Sequence, residues 1–441
     1  SRTKTTQSLL ERRRRSMGPA YRLFYDQPVH IVSGEGVWLY DADGNKYLDV
    51  YNNVPHVGHC HPRVVDAVCK QARTLNTHTR YLHERVIEYA ERLTAKFPDG
   101  LDIAMFACTG TEANELALRL ARAMTGATGM IVTDNAYHGN SWAIAQITTT
   151  YESSEKRADN IVTVPSPDSY RGPYAGHPQA AEKYAAHLQE AIDTLQGRGL
   201  RPAAFIVDTI FSNEGLPAVP PGYLARAVEI VRDAGGLFIA DEVQPGFGRT
   251  GRHFWGFENH AVVPDIATMG KPMGNGYPLA AVVTSAEVVD AFARHSHYFN
   301  TFGGSPVACA AGLAVLDVIE QEGLQSNALE TGNYLLEGLR ELASASPLIG
   351  DIRGGGLFIG IELVRDRSSR DPATAETARA VNLLRQQGVL IGSTGRFDNI
   401  LKIRPPLVFT REHAEILLRK LALVMEEIHG TKDGLPGGQT S

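Results

Sequence analysis

Cysteine is scarce in this chain. Cys60, Cys69, Cys108 and Cys309 are the only four in 441 residues, and they are scattered. No disulfide framework fits that spacing, so a reducing, cytoplasmic compartment is expected. Long apolar runs are missing too. No stretch approaches the roughly 20 residues a membrane span needs, and residues 1–25 are polar and basic without the core of a signal peptide. No membrane partner is expected. Positive charge is not in excess: 43 Lys and Arg stand against 49 Asp and Glu, for a net charge of −6. Nothing in that balance favours nucleic acid. The run Arg12-Arg13-Arg14-Arg15 departs from it, but no aromatic residues are interleaved, so it reads as a solvated face rather than a binding arm. Internal repeats are absent.

What remains is an ordinary globular composition, 43% hydrophobic and 21% charged. The length suffices for two or three domains with a large buried core. Residues 29–51 alternate and turn like a hairpin meander, and 62–76 carry apolar residues at helical spacing. From about 80 to 310, short apolar runs (103–107, 130–133, 204–207, 237–240, 280–283) alternate with helical patterns (112–123, 180–195, 223–234). That alternation predicts an α/β fold with a mostly parallel sheet covered on both faces. A strand over 354–363, a helix near 375–387, a short segment 389–391 and a helix 411–428 predict a smaller α+β domain. The expected division is an N-terminal segment 1–60, a large domain 61–320, a small domain 321–430 and a disordered tail 431–441.

The densest chemical signal lies between Leu237 and Lys271. The apolar run Leu237-Phe238-Ile239-Ala240 delivers Asp241 at its end, and Lys271 follows 30 residues later among Met269, Gly270, Pro272 and Met273. An apolar setting lowers a lysine's pKa and makes its amine nucleophilic. Lysine for a Schiff base and aspartate for a pyridinium nitrogen together fit pyridoxal 5′-phosphate. Taken singly, a strand-end aspartate usually caps or pairs and a lysine is usually solvated. Thr109-Gly110-Thr111-Glu112-Ala113-Asn114 follows a strand and opens a helix, where free N–H groups and the dipole suit a phosphate. A plain N-cap is the alternative. Tyr137-His138-Gly139 could stack on a flat ring or be buried framework. Asn300-Thr301-Phe302-Gly303-Gly304-Ser305 offers hydroxyl and glycine to a phosphate, or passes as a loop.

Three patterns point elsewhere. Gly246-Phe247-Gly248-Arg249-Thr250-Gly251 has dinucleotide glycine spacing, but no helix pattern follows it. His56, His59 and His61 with Cys60 resemble metal ligands, yet alternate residues diverge in an extended segment and no second ligand pair is near. His83-Glu84 lacks the second histidine of a metalloprotease motif, since position 87 is Ile87. No metal is expected.

From about residue 25 to 428 the chain resembles the class III pyridoxal phosphate-dependent aminotransferases of fold type I. Gly58-His59-Cys60-His61-Pro62, the 109–114 and 137–139 segments, Asp241-Glu242-Val243-Gln244, Gly270-Lys271 and Thr301-Phe302-Gly303-Gly304 carry the resemblance by order and spacing. It implies that Lys271 holds the cofactor, Asp241 keeps the ring nitrogen protonated and Gln244 touches the ring hydroxyl. Gly110 and Thr111 would form the phosphate cup, with Tyr137 stacking on the ring and His138 beside it. Thr301 would reach the phosphate from a partner subunit, so a homodimer with its active site at the interface is implied.

Two departures bear on the substrate. The glutamate of the family's Glu-Pro-x-x-Gly-Glu segment is Asn213 here, and the carboxylate-binding arginine is Lys402, with Arg404 two residues on. Lysine cannot copy the planar grip of arginine on a carboxylate. The segments 53–62, 79–83, 170–174 and 399–402 resemble the ethanolamine-phosphate phospho-lyases, with a related branch acting on 5-phosphohydroxylysine. That resemblance implies a phosphorylated amine substrate, with Lys271 acting as base and phosphate leaving from the neighbouring carbon. An ω-amine or amino-acid transaminase is the nearest alternative, and a non-catalytic cofactor-binding protein a third. For the substrate phosphate the candidates are Arg80 first, Lys402 second, then Tyr51 and Asn53.

Overall fold

A computed structural model describes residues 2–151 and 156–430. Its centre is a seven-stranded sheet in the order Ile103–Ala107, Ala280–Thr284, Ile266–Met269, Leu237–Asp241, Pro202–Asp208, Gly129–Thr133, Ile161–Val164. Only Ala280–Thr284 runs antiparallel to its two neighbours; the other pairings are parallel. The five strands expected from the apolar runs are present. Ile161–Val164 and Ile266–Met269 are additional, and each has only four residues.

The strands are apolar throughout because both faces are covered. Within one strand, Phe205 and Val207 enter one core cluster while Ala204 and Ile206 enter the other. The first core packs against helices Ala180–Gly197, Tyr223–Asp233 and Pro306–Gln321, the second against Gly110–Thr125 and Ala286–Ala293. Strand register places Asp208 beside Asp241 and Asp241 beside Thr268, all at the carboxyl edge. Ligands of open α/β sheets bind at that edge.

The 29–51 meander forms three strands, Ile31–Glu35, Trp38–Asp41 and Lys46–Asp49, and Val389–Leu390 joins them in parallel. The expected strand 354–363 is instead a hairpin. Ile349–Gly355 pairs antiparallel with Phe358–Leu363, because Gly354 (φ +108°) and Gly356 (φ +55°) reverse the chain between them. Ile400–Ile403 and Gly392–Thr394 complete that sheet. The basic N-terminal residues form a helix, Arg2–Met17, on which most of the arginine run is exposed. The tail 431–441 lies outside the described residues. Among those residues no helix is long and apolar enough to cross a membrane.

Two buried arginines tie the smaller sheet to the larger. Arg353 donates through Nε and Nη2 to the carbonyls of Gly215 and Leu216 at 2.9–3.1 Å, while Nη1 meets Glu362 at 2.6 Å and Asp351 at 3.0 Å. In the other direction Arg249 donates to the carbonyls of Leu357, at 3.0 Å, and Pro405. Replacing one member of such a buried network leaves its partners desolvated without compensation. Arg353→Met is therefore expected to cost about 3–5 kcal/mol of stability. Chemical denaturation would show this as a lowered midpoint, and a parent-like midpoint would show that the link adds nothing.

Candidate active site

The carboxyl edge of the central sheet opens into a cavity of about 350 Å³ lined by Lys271, Asp241, Asp208, Gln244, Tyr137 and Thr111, among others. Each arrives from a strand end or a helix start. Asp241 closes the strand Leu237–Asp241, and Lys271 lies two residues beyond the strand Ile266–Met269.

Asp241 is held from three sides. Its Oδ2 accepts from Asn114 Nδ2 at 3.0 Å and lies 2.7 Å from His138 Nδ1, and its Oδ1 accepts from the Val243 N–H at 3.1 Å. A carboxylate has about four acceptor positions, so one remains for a donor in the cavity. Asn114 is itself fixed: Nδ2 also donates to the His138 carbonyl at 2.8 Å, and Oδ1 accepts from the Thr268 hydroxyl at 2.6 Å. Asn114, named from sequence only within the helix-opening segment 109–114, thus orients the central carboxylate.

At the start of helix Gly110–Thr125 the N-cap is present, and it leaves room for the phosphate reading. Thr109 caps the Glu112 N–H at 3.1 Å, and Glu112 returns to the Cys108 N–H at 3.0 Å. The N–H groups of Gly110 and Thr111 are left without a hydrogen-bond partner among the described residues, and both residues line the cavity. Gly139 (φ +138°) closes the other side of this cup; a Cβ there would meet Thr111 Oγ1 at 2.4 Å.

Burial pushes the Lys271 amine down to about 8, helped by the Arg404 charge and opposed by Asp241 and Asp208. With that value about a tenth of the amine is neutral at pH 7. Attack on an aldehyde needs the neutral form. Cofactor uptake by the apoprotein should therefore accelerate with pH and level off above about 8, followed by stopped-flow absorbance. A rate still climbing towards pH 10 would contradict a depressed lysine. Asp208, overlooked in the sequence, is pushed up to about 6, first by burial and then by the neighbouring Asp241 charge, while Ser212 holds it down.

Lys402 and Arg404 are both buried, on one face of the chain leaving the strand Ile400–Ile403. Lys402 has no hydrogen bond or ion pair among the described residues, and its amine lies 5.8 Å from the Tyr51 ring centre. Its pKa is driven well down, first by burial and then by Arg404 and Lys271. Arg404 donates Nε to the Tyr51 carbonyl at 2.9 Å and Nη1 to Gln244 Oε1, with its guanidinium 4.5 Å from the Tyr51 ring centre. Asn53 donates to the same Gln244 oxygen at 3.3 Å. Tyr51, Asn53, Lys402 and Gln244 therefore come together, joined by Arg404, whose direction the sequence left open.

Arg80 and Thr301 do not join them in this chain. Both are exposed, and Arg80 lies 4.0 Å over the Phe299 ring. Asn213 donates to the Asn135 carbonyl at 2.7 Å and Asn135 returns to the Asn213 carbonyl at 3.0 Å, so the substituted position is locked in a loop pair. The histidines diverge: His56 meets the Phe247 carbonyl, His59 meets Asp49, and His61 caps helix Pro62–Thr74 and meets Glu322. His83 caps the helix Glu84–Thr94. The glycine-rich 246–251 segment turns to bring Arg249 into the interior rather than opening a helix.

Residues 23–425 match the model of aminotransferase class III. The chain belongs to that family. A curated relative from Drosophila melanogaster, alanine–glyoxylate aminotransferase 2-like, is 43% identical over 94% of this chain and 87% of its own length. Ethanolamine-phosphate phospho-lyase homolog 1 from Caenorhabditis elegans is 38% identical over 93% and 91%. A solved phospholyase from Arthrobacter, in complex with phosphoethanolamine, is 49% identical with a TM-score of 0.92, covering 95% of this chain and 99% of that one. The fold is that of fold type I enzymes and the cofactor is pyridoxal 5′-phosphate. The residues fit it: an activated lysine, a carboxylate with one free acceptor position, and unpartnered N–H groups at a helix start.

Proposed function

We propose that this enzyme is a phospho-lyase that converts phosphoethanolamine and water to acetaldehyde, ammonia and inorganic phosphate. The observation that carries this reading is the pair of buried basic side chains, Lys402 and Arg404, beside Lys271, where Lys402 has no carboxylate partner among the described residues. A dianion bound there favours the protonated form of Lys402 and is matched by the Arg404 guanidinium, and Asn213 supplies no negative charge to compete with it. The phosphoethanolamine complex of the Arthrobacter relative supports the same class of substrate.

When bound, the cofactor supplies an electron sink. Lys271, as a neutral amine, takes a proton from the carbon bearing the substrate nitrogen. Asp241, oriented by Asn114 and His138, holds a proton on the cofactor's ring nitrogen. The carbon–oxygen bond to phosphate then breaks, and its electron pair leaves with the phosphate, whose charge Lys402 and Arg404 offset. The two-carbon remainder takes up water and separates into acetaldehyde and ammonia.

Arg80 and Thr301 enter this reading through a second copy of the chain. They share an exposed patch with Tyr81 (67% exposed) and Phe302 (73% exposed), and such a patch needs a cover. In a homodimer these residues reach the neighbouring site, Thr301 to the cofactor phosphate and Arg80 towards the substrate.

The test is incubation of the holoenzyme with phosphoethanolamine and no keto acid. Phosphate and acetaldehyde should appear in equal amounts, and Lys402→Met should raise KM about tenfold or more, the scale of a lost charged contact. Names of relatives such as alanine–glyoxylate aminotransferase 2-like favour a transaminase as the second reading. Amine transfer to glyoxylate or pyruvate with no phosphate released would establish it. Parallel assays with 5-phosphohydroxylysine separate the two phosphorylated substrates.

A further inference from the structure

Arg404 also meets Gln244, which lines the cavity, and that contact is independent of which substrate the enzyme takes. Arginine has donors only, so the Gln244 atom it meets through Nη1 must be the amide oxygen. Asn53 donates to that same oxygen. Both contacts settle which way round the amide sits, and Nε2 is left at the cavity wall with no protein partner among the described residues. We infer that Arg404 is a positioning residue: it locks Gln244 so that an N–H, not a carbonyl oxygen, is offered to the oxygen on the cofactor ring.

The lock is built to be rigid. The Arg404 N–H donates to the Val50 carbonyl at 2.9 Å, and Nε holds the next carbonyl, that of Tyr51. The following carbonyl on the other side, Pro405, is gripped by Arg249. Arg249 in turn lies 3.3 Å from His56 Nδ1. Because His56 Nε2 lies 2.7 Å from the Phe247 carbonyl, Nε2 must carry the proton and Nδ1 must accept from Arg249. Two motifs with no catalytic assignment, the 246–251 glycine segment and the histidine segment, thus anchor the arginine that orients Gln244.

The orientation has a readable consequence. In the lysine-bound cofactor, the linkage nitrogen and the ring oxygen share a proton. A donor on that oxygen satisfies its negative charge, so the proton is held less tightly and the linkage pKa falls. A freed amide can turn its oxygen inward, which repels the ring oxygen and raises that pKa. The charged or titratable groups around Lys271 are Asp241, Asp208, Arg404 and Lys402, with Cys108, Tyr137, His138 and Tyr277 also lining the cavity. Removing the Arg404 charge also raises the pKa, so orientation and charge must be separated.

A double-mutant cycle separates them. The visible absorbance of the holoenzyme is titrated with pH, without substrate, for the parent, Arg404→Met, Gln244→Ala and the double variant. Arg404→Met should move the transition upward by about one pH unit, and in the Gln244→Ala background most of that shift should vanish. An equal shift in both backgrounds would overturn the inference and leave only the field of the charge. If Arg404→Met does not fold, Arg404→Lys serves instead. Lysine keeps the charge but cannot serve both the Tyr51 carbonyl and Gln244, so an upward shift is still expected, and a parent-like titration would overturn the lock.

Discussion

Lys271→Ala is expected to lose the visible absorbance of the lysine-bound cofactor and to lower turnover by more than about 10⁴-fold, beyond what a missing general base alone costs. Two functions depend on the same amine. In the proposed mechanism it bonds the cofactor covalently, and once displaced by substrate it is the base beside the reacting carbon. Among the described residues Lys271 is the one lysine that lines the cavity; Lys402 is buried behind it, with its amine 5.8 Å from the Tyr51 ring centre. A retained visible band in Lys271→Ala would show that another lysine carries the cofactor. Added small amines restoring part of the turnover, without restoring the band, would isolate the base function.

The second large effect concerns Asp241. Asp241→Asn keeps the shape but removes the charge that, in the proposed mechanism, holds a proton on the ring nitrogen, and turnover should fall by about three orders of magnitude, ~4 kcal/mol of barrier. Cofactor affinity should change far less, because the phosphate cup at Gly110 and Thr111 is untouched. Asp241→Ala goes further, leaving His138 and Asn114 aimed at an empty position, and there the cofactor should dissociate more readily as well. Near-parent turnover in Asp241→Asn would remove the ring nitrogen from the account. Cofactor release is read by equilibrium dialysis and turnover by product assay, so the two effects separate.

Much of the frame was legible because the central strands are uniformly apolar and short, and the helices on their flanks show one apolar stripe. Helix Pro306–Gln321 escaped for the opposite reason. Nearly every residue from Pro306 to Ile319 is buried, so it has no polar face and hence no period to detect. The strand Ile266–Met269 escaped because Thr268 interrupts its apolar run after two residues. Of the hairpin at 349–363 only one strand, over 354–363, is expected from sequence, since Gly354 and Gly356 look like punctuation at its start rather than a reversal within it.

By itself, the sequence determined the cofactor chemistry. A carboxylate at the end of an apolar strand and a lysine in an apolar setting have their environments set by near neighbours, so local pattern suffices to mark them. Tertiary structure decided everything that depends on direction across distant segments. Alternate residues of a strand share a face, so Lys402 and Arg404 were bound to point the same way, but only packing against Tyr51 and Gln244 shows that the way is inward. Asn114 at the central carboxylate, Arg249 against His56, and Arg80 over Phe299 on an outer surface are likewise contacts between residues far apart in the chain. Their side chains meet through the fold, and local spacing carries no information about such meetings.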